Sequence, residues 1–120
     1  MTQTQRENIA EKLKTLVELL TQNKLEEVSE KYPSEYNLTA EEICDSIELY
    51  GCKFVTPTDE DLRNFDAVEV EVENNSRKLW DVRFSLWTVE EGKSDLTIVV
   101  DVEKSSEKDY VIRLRDILVP

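Results

Sequence analysis

Apolar residues in the first part of the chain recur at the spacing of an α-helix. From Thr4 to about Gln22 they form one face of a 3.6-residue period. The residues on that face are Ile9, Leu13, Leu16, Val17 and Leu20. A shorter helix with Leu25 and Val28 inward should follow and end before Pro33, because the residue preceding a proline avoids the α region.

A third helix is predicted from a capping pattern. Residues 39–42 read T-A-E-E, in which Thr39 caps the helix and Glu42 reaches back. The helix should end at Gly51, a left-handed cap, with Ile43, Ile47 and Tyr50 facing inward. Residues 53–55 then suggest a brief strand, and Thr58 suggests the cap of a short helical turn.

After Asn64 the period of the apolar residues changes from helical to two. Alternating stretches occupy residues 68–73, 79–87, 96–102 and 110–115, separated by short polar segments at 74–76, 90–93 and 103–109. Short polar connections imply antiparallel hairpins, and helices followed by strands are typical of α+β proteins. We therefore predict one α+β domain over residues 1–120. In it, two to three N-terminal helices (1–51) pack on a four-stranded antiparallel meander sheet (65–120).

The stretch LWDVRFSLW at residues 79–87 raises a question about the second face of this sheet. Trp80, Val82, Phe84 and Leu86 should face the helices, so the opposite face receives Asp81, Arg83, Ser85 and, if the strand stays straight, Trp87. Glu69, Glu71 and Glu73 should share that opposite face. It is either a solvated surface of cross-strand ion pairs, with Trp87 at an edge or bulge, or a protein-binding surface, because Trp and Arg are enriched in hot spots.

The net charge of the chain limits which classes of molecule it is expected to bind. The chain carries 15 Lys and Arg against 27 Asp and Glu, a formal charge of −12, with the acids spread over both halves. Such a charge repels phosphate backbones and anionic membrane surfaces, and it favours either solubility alone or a basic partner. On the third helix Glu41, Asp45 and Glu48 share one face, where like charges repel unless a basic partner offsets them.

The residue types present in the chain exclude most kinds of catalytic site. With no histidine, two cysteines and two glycines, the chain lacks an imidazole base, a zinc ligand set and a glycine-rich phosphate loop. Among 27 acids no catalytic pair is singled out, so we expect no enzyme, cofactor or metal. The N-terminus shows no signal-peptide core and no stretch reaches transmembrane length, so we expect a reducing cytoplasm with Cys44 and Cys52 as buried free thiols.

Two resemblances extend this interpretation. The order of elements is similar to cystatin-like and NTF2-like folds. Over residues 65–120, the stretches FDAVEVEV and WDVRFSLWTVEEGKSDLT resemble a small bacterial family often encoded near toxins. Together with acidity and size, this resembles immunity proteins of polymorphic-toxin and contact-dependent growth-inhibition systems. The resemblance implies a cytoplasmic protein that binds a cognate toxin domain, commonly a basic nuclease, and occludes its active site.

The resulting hypothesis is a non-enzymatic immunity protein. The residues expected to contact the toxin are Glu41, Asp45, Glu48, Asp59, Asp61, Glu69, Glu71, Asp81 and Trp87. One alternative is a small-molecule-binding or enzymatic NTF2-like domain, which would need a pocket between sheet and helices lined by Tyr50, Trp80 and Phe84. A second alternative is a structural or regulatory domain that self-associates through the sheet.

Overall fold

The computed structural model of the protein describes residues 1–33, 38–70, 78–106 and 109–120. The elements follow in the order α1 (Gln3–Thr21), α2 (Leu25–Lys31), α3 (Ala40–Tyr50), β1 (Phe54–Val55), α4 (Asp59–Arg63), β2 (Asp66–Val70), β3 (Leu79–Thr88), β4 (Gly92–Lys104) and β5 (Tyr110–Leu118). This confirms the predicted α+β class, with N-terminal helices followed by an antiparallel sheet. In the described ranges, no helix has both the length and the apolar character needed to cross a membrane.

Side-chain caps fix where the helices begin and end. Thr2 with Gln5, and Thr39 with Glu42, form complete capping boxes at the starts of α1 and α3. Gly51 ends α3 in the left-handed conformation, with φ at 77°. The predicted caps of α3 are therefore confirmed, and α1 begins one residue earlier than predicted because Thr2 is its cap.

The sheet contains the predicted meander and one further strand. Strands β2, β3, β4 and β5 pair in sequence order, all antiparallel. Strand β1 joins the far end of β3, where Phe54 pairs with Thr88 and Val55 with Trp87. Because β4 occupies the other side of β3, β1 and β2 lie end to end along one edge of β3. The predicted turn at residues 74–76 lies outside the described residues.

The hairpin between β3 and β4 is tighter than the sequence suggested. Strand β4 begins at Gly92, inside the segment predicted as a turn, because Gly92 takes a φ of 71° and lets the chain reverse there. The register shifts between Ser85 and Trp87. At this bulge the Ser94 hydroxyl donates to the Leu86 carbonyl (2.7 Å) and accepts from the Leu96 N–H (3.2 Å).

The core lies between the helices and one face of the sheet. The even-numbered side chains of β3, from Trp80 to Leu86, are at most 3% exposed, as predicted. They belong to one cluster with the buried side chains of α1, the packing that removes most apolar surface from water. The sheet face opposite these residues is called the outer face below.

Strand β2 faces the other way from the prediction. Val68 lies opposite Asp81, and Val70 opposite Leu79, so both valines project from the outer face and are 67% and 43% exposed. Ala67 and Glu69 lie on the helix side instead. The prediction was wrong because period-two alternation does not say which face is buried. Here Phe65, 4% exposed, enters the core just before β2 and Ala67 pairs with Val82.

Arg6 ties α1 to the chain that leads into β2. Its Nη1 donates to the carbonyl oxygens of Arg63 (2.9 Å) and Phe65 (2.7 Å). Its guanidinium also lies 4.4 Å from the centroid of the Phe65 ring, a cation–π distance. This single side chain therefore holds the start of β2 in place through three contacts.

We expect Arg6→Gln to lower the free energy of unfolding by about 1–3 kcal/mol, because both carbonyls lose a charged donor and the ring loses its cation. Lys24→Gln removes the same charge from an exposed side chain and should change stability by less than about 0.5 kcal/mol. Urea denaturation of the two variants and the parent protein measures the difference. Equal losses would show that the contacts of Arg6 do not stabilise the fold.

Candidate partner-binding surfaces

Arg115 organises the charges of the outer face. Asp81 and Asp101 lie directly opposite each other on β3 and β4, a like-charge pairing that is unfavourable by itself. The Arg115 Nη2 atom lies 2.7 Å from Asp81 Oδ2 and 3.5 Å from Asp101 Oδ1. One guanidinium therefore offsets the repulsion between two carboxylates on neighbouring strands.

A bulge in β5 places Arg115 there. Val99 pairs with Asp116 while Val100 pairs with Leu114, so Arg115 is the extra residue of the bulge. On the opposite side of β5 the Leu114 N–H donates to the Tyr32 carbonyl at 3.1 Å. The irregularity therefore serves two purposes: it directs a cation toward two acids and engages the edge of the sheet with the end of α2.

Further ion pairs cover the same face. Arg113 Nη1 lies 3.2 Å from Glu103 Oε2, and Arg83 Nε lies 3.7 Å from Asp81 Oδ1. Arg113 and Glu103 pair across strands, as expected for a solvated sheet face, whereas Arg83 and Asp81 both lie on β3. Asp81, one of the residues expected to contact a partner, is thus already engaged with Arg83 and Arg115.

Trp87 lies at the bulge between β3 and β4. It is half-buried, packs against the core cluster and pairs with Val55 of β1 and Lys93 of β4. A Cβ atom on Gly92 would be 3.9 Å from its ring, so the indole covers the turn. The tryptophan therefore lies at a bulge and packs against the core, as one of the two sequence interpretations expects.

A groove of about 420 Å³ opens on the outer face between the start of α3 and β5. Its lining residues are Leu38, Glu42, Arg83, Val99, Arg115, Asp116 and Leu118. The aromatic residues expected to line a pocket on the helix side are used in packing: Trp80 and Phe84 are 3% and 2% exposed. The Tyr50 hydroxyl accepts a hydrogen bond from the Asp95 N–H at 3.1 Å.

The predicted acids of α3 form an exposed surface. Glu41, Asp45 and Glu48 are all exposed, and none of the cations in the described part of the chain forms an ion pair with them. No ion pair there reduces the repulsion between these carboxylates. We call these three residues the α3 acidic face.

The predicted acids of α4 are placed differently. Asp59 accepts from Lys14 at 3.1 Å, a contact that raises the pKa of Lys14, and Asp61 accepts from the Thr58 hydroxyl at 2.8 Å. Helix α4 packs on α1, whereas α3 packs on α2 and β5. Glu69 is exposed on the helix side of β2, and Glu71 lies outside the described residues. The predicted contact set is therefore spread over several surfaces.

Both cysteines are free and half-buried, rather than buried as expected. A hydrogen bond with Glu48 is the main cause that raises the pKa of the Cys44 thiol above its ordinary value. For Cys52, burial raises the pKa most, followed by a hydrogen bond to Glu91 Oε1 at 3.4 Å. A raised pKa reduces the thiolate fraction at neutral pH, so neither thiol is activated as a nucleophile. Within the described ranges, no group of three or more Cys, Asp and Glu residues is placed to hold a metal ion.

The comparisons with known proteins define the family alone. The chain matches the DUF7668 model, described as a domain of unknown function, over residues 6–120, and it therefore belongs to that family. No curated protein gives a significant match. No solved structure gives one either.

Two features of these surfaces were missed from the sequence. The exposed valines of β2 were assigned to the buried side, and the cross-strand pairing expected of Arg115 on a solvated face did not identify Asp81 and Asp101 as its partners. The weak signal for the first is the pair Leu62 and Phe65, whose burial fixes how the chain enters β2. The second depends on a β5 register that alternation does not contain.

Replacing Arg115 with Gln should lower the free energy of unfolding by about 1–3 kcal/mol, because Asp81 and Asp101 are left side by side in a half-buried position. Arg113→Gln removes the same charge from a more exposed side chain that pairs with one carboxylate, that of Glu103, and should cost about 0–1 kcal/mol. Urea denaturation measures both. Adding Asp81→Asn to Arg115→Gln should recover part of the loss, and no recovery would contradict the proposed role of Arg115.

A second prediction concerns the Cys44 thiol. In a Cys52→Ser background, Glu48→Gln should move the pH profile of Cys44 alkylation by iodoacetamide to lower pH, because the carboxylate that raises its pKa is removed. Glu41→Gln is the matched control and should move the profile less, because Glu41 acts on this thiol through a weaker Coulombic effect. Identical profiles for the two variants would contradict the assignment to Glu48.

Proposed function

We propose that this protein is a cytoplasmic immunity protein. It binds a cognate toxin domain, a basic nuclease, and occludes its active site. The α3 acidic face is the observation that carries the proposal: three exposed carboxylates at helical spacing, without an ion pair among the described residues, on a chain of charge −12. The resemblance of residues 65–120 to proteins encoded beside toxins supports the same function.

The physical chemistry of a nuclease makes an acidic inhibitor effective. A cleft that binds a phosphate backbone is lined with cations, and carboxylates on an inhibitor occupy the positions where phosphates would lie. Opposite net charges also raise the rate of association through long-range attraction. The inhibitor needs no catalytic group, which agrees with a chain that has no histidine.

Separate roles for the two acidic surfaces follow from their contacts. The outer-face carboxylates Asp81 and Asp101 are held by Arg115, so engaging a partner there would require replacing an existing ion pair. The α3 acidic face has no such competing partner in the described residues. We therefore place first contact with the toxin on α3, with the toxin's basic cleft as its counterpart.

Co-purification tests the proposal directly. The protein is expressed with the product of a neighbouring gene that encodes a basic toxin domain, and the complex is sought at low and at moderate salt. A stable complex that suppresses the nuclease activity is the expected result. Absence of binding at both salt concentrations would overturn the proposal.

Charge reversal then locates the surface. Changing Glu41, Asp45 and Glu48 together to Lys should slow association with the toxin about ten- to hundredfold and flatten its dependence on salt. The control changes Glu11, Glu26 and Glu30 to Lys, which alters net charge equally on exposed positions of α1 and α2. Stopped-flow association kinetics compare the two variants. Equal slowing would mean that overall charge, rather than the α3 acidic face, steers the encounter.

A further inference from the structure

Strand β2 forms one border of the sheet in the part of the chain that the structure describes. It has five residues and pairs with β3 along its inner side; in the residues that the structure describes, no strand pairs with its outer side. A strand edge presents backbone N–H and C=O groups that are ready to pair with another chain. The opposite border of the sheet differs, because the Leu114 N–H of β5 is already bonded to the Tyr32 carbonyl.

In β2 the device that limits pairing at this edge is negative charge from Asp66 and Glu69, which does not repel a basic strand. Natural edge strands are commonly blunted by lysine, proline or a bulge. Strand β2 has none of these, since its sequence is DAVEV and its register with β3 is regular. Val68 and Val70 are instead 67% and 43% exposed on the outer face, where they offer apolar contact to a neighbouring strand.

The charge beside this edge determines what kind of strand it accepts. Residues 59–70 contain five acids and one base, and Asp66 and Glu69 of β2 itself are both exposed, one on each face of the strand. A second copy of the chain would bring the same acids together, on molecules of charge −12, and would be repelled. An extended segment with lysine or arginine at alternate positions would meet opposite charge.

We propose that the outer edge of β2 binds an extended basic segment of the partner protein, which adds to the sheet as a further strand. The segment's backbone pairs with β2, its apolar side chains contact Val68 and Val70 on the outer face, and its basic side chains lie near Glu69 on the helix side. This inference deepens the proposed function and rests on it in one respect, namely that the partner is basic.

The test uses the full chain and a synthetic peptide in which lysine alternates with valine. Amide hydrogen exchange within residues 66–70 should slow when this peptide is added. A peptide with glutamate in place of lysine, and a lysine peptide N-methylated at alternate backbone nitrogens, should give no protection. The second control separates backbone pairing from simple charge attraction.

A pair of variants locates the binding edge. Val68→Lys should weaken binding of the lysine–valine peptide about tenfold, because it places a like charge beside the added strand. Val111→Lys makes the same change at a partly exposed valine on β5 and should leave the affinity unchanged. The inference would be overturned if the two variants weakened binding equally, if the peptide bound without protecting residues 66–70, or if it did not bind. It would also be overturned if protection rose with protein concentration in the absence of peptide, because self-association would then be its cause.

The two proposals fail in distinguishable ways. If the neighbouring toxin binds but residues 66–70 stay unprotected in the complex, the immunity function stands and strand addition at β2 is wrong. If the basic peptide protects β2 while the neighbouring protein does not bind, strand addition stands and the immunity function is wrong.

Discussion

Burial of the even-numbered side chains of β3 against the helices determines most of the fold. Trp80, Val82, Phe84 and Leu86 occupy the middle of the core, and β3 is the strand with which β1, β2 and β4 all pair. Because side chains of a strand alternate strictly, this burial also decides which residues reach the outer face. The positions of Asp81, Arg83 and Trp87 therefore follow from packing on the other side of the sheet.

The outer face and α3 handle negative charge in different ways. On the outer face the carboxylates of Asp81 and Asp101 are brought together by strand pairing and neutralised by Arg115 from a bulge. On α3 the carboxylates are spaced along a helix and left to solvent. A folded protein gains more from neutralising charges that its sheet forces together than from neutralising charges that water already screens. The uneven distribution of ion pairs is consistent with this difference.

Features that depend on adjacent residues, such as the caps of α3, were predicted correctly. Features that depend on the register between strands were not. Capping by Thr39 and termination at Gly51 depend on a few adjacent residues, so the boundaries of α3 were predictable. Alternation in β3 identified the buried face, whereas the same alternation in β2 did not, because its orientation is set by Phe65 and by pairing with Val82. The likeness to cystatin-like and NTF2-like folds stays a prediction.

The same limit applies to the candidate surfaces. Exposure of Glu41, Asp45 and Glu48 followed from helical spacing, but the contact between Asp59 and Lys14 joins helices that are distant in sequence. Pairing of Asp81 with Arg115 likewise required the register of three strands and the position of one bulge. Charge in the sequence therefore supports a prediction about the type of partner, whereas the placement of the charged residues depends on the fold.

The hydrogen bond from Leu114 to the Tyr32 carbonyl has a consequence for how the molecule behaves at high concentration. A fibril grows without limit through its sheets only if each copy has two complementary sheet edges, so that every added copy presents a free edge to the next. Here the β5 border is interrupted near its centre by the end of α2. Growth of a fibril by repeated joining of sheets would have to break this hydrogen bond and move the end of α2 at every step.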